Sequence, residues 1–285
     1  MKKYFMFVLY LMLCFSIYSY ERVASVNLSG DEMLIGLIDK TKIVGLSGKI
    51  NEDEDMSNIS KEAKGIPKIE KNLEILLDLN PDFVLAADWM DKKFIQSIED
   101  MGIKVYLYKT PKNIKEQENL ILDLGHELNE DKRAQNLVDL MEEKLKEVGE
   151  NSGKLSKKYK VMLYTPFETT SDENTSFNDL VNLAGGINPV VGSGITSFQK
   201  ISKEKVIELN PDIIIVPVWR VYSDNNEFFK YLTEDKSFSE VNAIKNKNIY
   251  QIPYKNLSPT SQYMIKGVEV LGDILMKVDS KKNRN

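Results

Sequence analysis

Short runs of consecutive apolar residues alternate along this chain with segments whose apolar residues recur every three or four positions. Arg22–Asn27 (RVASVN) reads as a strand that ends in a polar turn, Ser29-Gly30-Asp31. Asp31 is placed to cap a helix starting at Glu32, with Met33, Leu34, Leu37 and Ile38 on its apolar face. Lys42–Leu46, Phe83–Ala87 and Ile103–Tyr108 read as further strands, and Asn72–Leu79 and Lys92–Met101 as helices between them. Ser47–Lys64, rich in Asp, Glu, Asn and Ser, reads as a loop. Strand–helix–strand alternation with short turns predicts a parallel α/β sheet.

The pattern changes at Asn113. From there to about Val148 the sequence is helical, and Leu137, Leu140, Met141, Leu145 and Val148 form one apolar stripe. Asn151-Ser152-Gly153 stops it, and the α/β pattern resumes. Lys160–Tyr164, Ile213–Val216 and Asn248–Ile252 read as strands, Asn178–Ala184 and Lys203–Leu209 as helices, and Ser261–Lys277 as a closing helix. One segment recurs. NLEILLDLNPDFVLAA (Asn72–Ala87) and SKEKVIELNPDIIIVP (Ser202–Pro217) share a Glu at the helix start, Leu-Asn-Pro-Asp at its end and a buried strand after it. Glu204 follows Glu74, and Pro211 follows Pro81, by the same 130 positions. In each copy Pro stops the helix and Asn-Pro-Asp turns the chain into the strand. The expected organisation is a leader over residues 1–19, a first α/β lobe over 20–128, an interlobe helix over 129–153 and a second α/β lobe over 154–285.

Composition narrows the function. The chain has 285 residues, 42% hydrophobic and 28% charged, with a formal net charge of −5. That is ordinary globular material without the basic excess of a nucleic-acid binder. Lys2 and Lys3 precede an apolar run from Tyr4 to Phe15, then Ser16, Ile17, Tyr18 and Ser19. This is the layout of a secretory signal peptide cut after Ser19, and it implies export. Cys14, the single cysteine, is the alternative, as an acylated lipoprotein anchor, although Leu13 before it fits that poorly. One histidine, His126, cannot build the multi-histidine sites of zinc or manganese binders. Phosphate-loop and nucleophile-elbow motifs are absent from the sequence. A two-lobe exported hydrolase would have to draft Asp31, Asp88 and Glu168, which no spacing pairs.

Ligands of open α/β sheets sit beyond the carboxyl ends of the strands. The loops there carry Lys49, Lys68, Trp89 and Lys109 in the first half, and Phe167, Phe198, Trp219, Arg220, Tyr222 and Tyr254 in the second. Aromatic surface beside Lys and Arg suits an anionic organic ligand. Glu74 and Glu204 lie at helix N-termini, where the helix dipole favours an anion.

The order and spacing of several motifs resemble one family. They are the Arg22-Val23 strand with Glu32, Val44-Gly45, Asn72-Leu73-Glu74 with Leu-Asn-Pro-Asp, Gly102-Ile103-Lys104-Val105, Leu183-Ala184-Gly185-Gly186 and the later copy at Ser202–Asp212. The family is that of the periplasmic binding proteins for vitamin B12, haem and ferric siderophores, and the likeness runs from about Arg22 to Met276. The resemblance implies two Rossmann-like lobes with parallel-rich sheets joined by one long helix. It implies a monomer that carries a small molecule, without catalysis or a catalytic cofactor, to an ABC permease. Glu74 and Glu204 match the residues that dock on the permease. Lys68 and Phe198 match positions that carry Trp in B12 binders, and Lys49 one that carries Tyr. On this reading the ligand expected is a ferric siderophore, with haem, held by Tyr222 or Tyr254, or a corrinoid as alternatives.

Overall fold

A computed structural model describes residues 19–218 and 225–282. The signal-peptide segment with Lys2, Lys3 and Cys14, and three of the expected ligand residues, Trp219, Arg220 and Tyr222, lie outside them.

The first half builds a parallel four-stranded sheet from β1 (Val23–Ser25), β2 (Ile43–Gly45), β3 (Phe83–Ala87) and β4 (Lys104–Tyr108), in the order β2-β1-β3-β4. Helices α1 (Leu28–Leu37), α2 (Leu73–Leu79) and α3 (Lys92–Asp100) connect the strands. All five β3 residues are buried, as a central parallel strand covered on both faces requires. The second half builds a parallel sheet β5-β8-β9 from Val161–Leu163, Ile213–Val218 and Ile249–Pro253. A small antiparallel ribbon, β6 (Thr169–Ser171) with β7 (Phe198–Lys200), flanks it. Nothing in the apolar pattern announces this ribbon, because its strands are three residues long and β7 is wholly exposed.

Between the sheets run α4 (Ile114–Glu127) and α5 (Asp131–Ser152). The helical stretch predicted from Asn113 is thus a hairpin, broken where Asn129 turns left-handed at φ 59°. The 22-residue α5 packs on α4 and on the last helix, α11 (Ile265–Lys282). It also touches α1 on one side and α6 (Ser176–Leu183) on the other. One apolar core therefore runs from the first sheet through α4, α5 and α11 to Val161, Leu163, Ile213 and Ile215 of the second. The alternate residues Met162, Ile214 and Val216 face a separate cluster with α7 (Lys203–Leu209) and α8 (Asn225–Glu234). Each fully buried Leu or Ile contributes about 1.5–3 kcal/mol relative to exposure, so this shared helical layer ties the two halves together.

The duplicated segment folds alike in both halves. Asn72 caps α2 through its side chain, accepting from Glu74 N at 2.8 Å, and Ser202 caps α7, accepting from Lys205 N at 3.2 Å. Asn80 and Asn210 end these helices in the left-handed region, at φ 43° and 45°. Asp82 then accepts from the backbone of Glu21 and Arg22, just ahead of β1, at 2.9 and 3.1 Å. Asp212 accepts from the backbone of Lys160, just ahead of β5, at 3.0 Å. A basic side chain completes each joint: Arg22 donates to the carbonyls of Leu79 and Asn80, Lys160 to that of Leu209.

One local expectation is corrected. The first helix starts at Leu28, with Asn27 in the cap position, and Asp31 is inside it rather than capping it. Gly30 is part of its first turn, where a Cβ would come within 2.4 Å of the Ser25 hydroxyl oxygen. Glycine serves close approach of α1 to β1 here, not a turn.

Candidate ligand cleft

In the first sheet, loops after β1 and β3 flank the point where strand order reverses, the usual ligand crevice of an open sheet. A cleft of about 590 Å³ opens there. Its first-half wall includes Asn27 and Ser29 after β1, Ser47 and Gly48 after β2, and Trp89 after β3. Its second-half wall is Phe167 after β5 and Tyr254, Lys255, Ser258 and Pro259 after β9. Both lobes thus present the carboxyl ends of their strands to it. Trp89 and Phe167 are 63% and 53% exposed, so large aromatic surface on both lobes remains available to a ligand.

The floor is polar and tied across the lobes. Glu32 is buried, and its carboxylate accepts from Asn58 N and Nδ2, both at 3.1 Å, and from the Ser261 hydroxyl at 2.5 Å. Asn58 donates onward to the Lys255 carbonyl at 2.9 Å and accepts from Lys266 Nζ at 2.8 Å. Gln262 Nε2 donates to the Glu32 carbonyl, and the Thr260 and Ser29 hydroxyls meet at 2.9 Å. Burial raises the Glu32 carboxyl above its usual range, against these donors and Lys266. One residue earlier Asp31 accepts from Ser47 N, the Ser47 hydroxyl and Asn51 Nδ2, yet burial lifts it to about 7. Asn27 Nδ2 donates to the Tyr108 hydroxyl at 2.7 Å, while Asn27 Oδ1 is buried with no partner. These polar groups were missed as site residues. The available signal was two adjacent acids, Asp31 and Glu32, beside an apolar helix face.

Glu70 and Lys71 form one edge of the cleft, both left-handed, at φ 52° and 57°. Such backbone costs a non-glycine residue roughly 1–3 kcal/mol. Here it is fixed by Glu70 N donating to the Ser47 carbonyl and by Glu70 Oε1 accepting from Lys49 N at 2.9 Å.

Of the other expected ligand residues, Tyr254 lines the main cleft, and burial raises its phenol above the usual range. Phe198 lines an adjoining chamber. The lysines fall elsewhere. Lys68 Nζ is spent on the carbonyls of Ala63 and Ile66, at 2.8 and 2.6 Å, and on Glu52 at 3.0 Å. Lys109 follows β4, an edge strand away from the order reversal, and is exposed outside the cleft. Lys49 is not part of the lining, whose cations are Lys71 and Lys255. Asp88 holds Thr110 N and Oγ1, at 3.1 and 2.7 Å, which makes it a loop staple. His126 sits exposed at the end of α4 against Asp131 at 3.1 Å. Glu74 and Glu204 are exposed, each the second residue of its helix, and these helices start on the side where the strands end. The helix-start N–H of Glu204 and the Ser202 hydroxyl hold the Glu204 carboxyl below its usual range.

Two α/β lobes on a helical layer, with a cleft between strand ends, define a binding protein rather than an enzyme. The profile of the periplasmic binding protein family matches residues 23–255, and the chain belongs to that family. It is the exported substrate-binding component of an ABC importer. Among the described residues no helix is long and apolar enough to cross a membrane. It is 23% identical over 261 residues to the uncharacterized ABC transporter substrate-binding lipoprotein YvrC of Bacillus subtilis, covering 89% of this chain and 79% of that one. It is 22% identical over 200 residues to a cobalamin-binding protein of Halobacterium salinarum, covering 70% of this chain and 54% of that one. A possible iron-binding periplasmic solute-binding protein of Staphylococcus epidermidis superposes with a TM-score of 0.76 at 24% identity, over 90% of this chain and 99% of the other.

Proposed function

We propose that the chain captures a corrinoid, a cobalt complex held in an organic macrocycle, and carries it to its permease. The character of the cleft carries this reading: exposed aromatic faces of Trp89 and Phe167 on opposite lobes, over a hydrogen-bonded floor. The sequence's one histidine is at the exposed end of α4, so imidazole coordination is not available to a bound metal. Asn27, with half of its amide unpartnered at the floor, matches the amide-bearing rim of a corrinoid. The cobalamin-binding relative agrees with this choice.

A ferric siderophore is the second reading, supported by Lys71 and Lys255 at the cleft and by the iron-binding description of the S. epidermidis protein. It is the weaker one because Lys49, Lys68 and Lys109, the cations that first suggested it, do not line the cleft. Lipid attachment at Cys14 or release by cleavage after Ser19 would both deliver the lobes to the outer face of the membrane.

The test is calorimetric titration with cyanocobalamin, haemin and a ferric hydroxamate siderophore. The reading expects cyanocobalamin to bind tightest and the Trp89→Ala and Phe167→Ala variants to lose at least ten-fold each, within the roughly 1–3 kcal/mol of a stacking contact. Saturable binding of only the siderophore would overturn it. In the same variant set, Glu74→Arg with Glu204→Arg is expected to abolish uptake while leaving ligand affinity unchanged, since both residues are outside the cleft lining.

A further inference from the structure

A second chamber of about 380 Å³ adjoins the cleft, sharing Tyr254 and Ser258 with it. It lies under the β6–β7 ribbon, with Ser171, Thr175, Ser176, Phe177, Phe198 and Leu257 among its lining. Two independent features make it an acceptor site. The first is the start of α6, an eight-residue helix whose cap residue, Thr175, makes no side-chain cap. The Thr175 hydroxyl donates back to the Asp172 carbonyl at 2.8 Å, so among the described residues no side-chain cap covers the first N–H groups of α6. The second is Ser171, 1% exposed, whose hydroxyl oxygen is buried without a hydrogen-bond partner in the chamber wall. A buried hydroxyl left unpaired is costly, and a helix start favours negative charge.

Two acids close in sequence to this point, Asp172 and Asp179, are engaged by other donors. Asp179, in the first turn of α6, accepts from Ile114 N at 2.8 Å, and Asp172 accepts from Asn174 N and Nδ2 at 2.9 and 3.1 Å. Phe177, Phe198, Pro217 and Leu257 supply apolar surface beside the polar Tyr254 and Ser258.

We infer that this chamber is a side pocket for an acidic arm of the ligand, a carboxylate on a short aliphatic stem. The stem lies against Phe198 and Leu257, and the carboxylate accepts from the Ser171 hydroxyl and from the N–H groups of Ser176 and Phe177. The main cleft then holds the body of the ligand, and the chamber selects for its substituent. The inference rests on the cleft being the ligand site, but not on the ligand being a corrinoid.

Its test separates the two. Sodium propionate, titrated into 15N-labelled protein, is expected to shift the Ser176 and Phe177 amide signals saturably at millimolar concentration. Propionamide should do so much more weakly, and Ser171→Ala should lose the effect. Absence of these shifts, or equal shifts with propionamide, overturns the side pocket whatever the ligand body is. Dicyanocobyrinic acid and its heptamethyl ester extend the test to a whole ligand. Ser171→Ala and Ser176→Pro are expected to weaken the acid roughly ten-fold and leave the ester unchanged. Proline is tolerated at the first helical position, and extended Thr175, at φ −119° and ψ 154°, accepts a following proline. If both compounds bind equally to all three proteins, the side pocket falls and the corrinoid reading stands. If neither binds while the propionate shifts persist, the corrinoid reading falls and the side pocket stands.

Discussion

The two lobes share a joint and differ in what they bring to the cleft. In both, a seven-residue helix ends at a left-handed Asn, a Pro follows, and an Asp ties the next strand to the residue ahead of the first strand of its sheet. Beyond the joint they diverge. The first lobe brings buried carboxylates, Asp31 and Glu32, and a strained edge at Glu70 and Lys71. The second brings Phe167, Tyr254 and the hydroxyl-lined chamber. The difference teaches that the repeated unit is mechanical: it fixes where strands end and leaves the loops beyond free to acquire separate chemistry.

The strongest way to break the comparison is to empty equivalent positions of the joint. Leu76 and Val206 stand 130 positions apart and both are fully buried. Leu76→Ala is expected to lower unfolding free energy by about 3 kcal/mol, and Val206→Ala by less, since it removes fewer buried carbons. Urea titration measures both, and a larger loss at Val206 would show that the second joint is the more essential.

The next effect should be confined to the first lobe. The Asp31 carboxyl is raised by burial to about 7 from a usual value of 3.8. The folded state therefore holds this proton more tightly than the unfolded chain. The stabilisation is complete below the unfolded value and is lost as pH rises toward 7. Asp31→Asn should flatten the fall in stability between pH 4 and 7 and raise the melting temperature at pH 8. An unchanged pH slope would remove Asp31 from the account.

The smallest expected effect compares the basic clasps. Arg22 reaches two helix-end carbonyls and Lys160 one. Arg22→Ala should cost about 1 kcal/mol and Lys160→Ala about half that, by chemical denaturation. Equal losses would mean that the second contact of Arg22 adds nothing.

Much of this was legible because it is local. Leu-Asn-Pro-Asp spells its own turn, and the runs around Phe83–Ala87 and Ile213–Val216 are long enough to read as buried strands. That Trp89, Phe167 and Tyr254 line the cleft is legible because each sits in a segment that follows a strand. The destinations of the lysines were not legible. Lys68 is claimed by two carbonyls and Glu52, which only the folded loop brings within reach, and Lys109 depends on β4 being an edge strand. Asp31 looked like a cap because its neighbours Ser29 and Gly30 look like a turn. The close approach that explains Gly30 involves Ser25 on a different element.

The closing helix α11 has a consequence for biosynthesis. Val268, Leu271 and Leu275 of this helix, with Met264 just ahead of it, complete the same hydrophobic interior that Val23 and Leu34 begin. A nascent polypeptide therefore lacks part of this interior until residues 264–275 have been made, and its first half emerges with an unfilled apolar face.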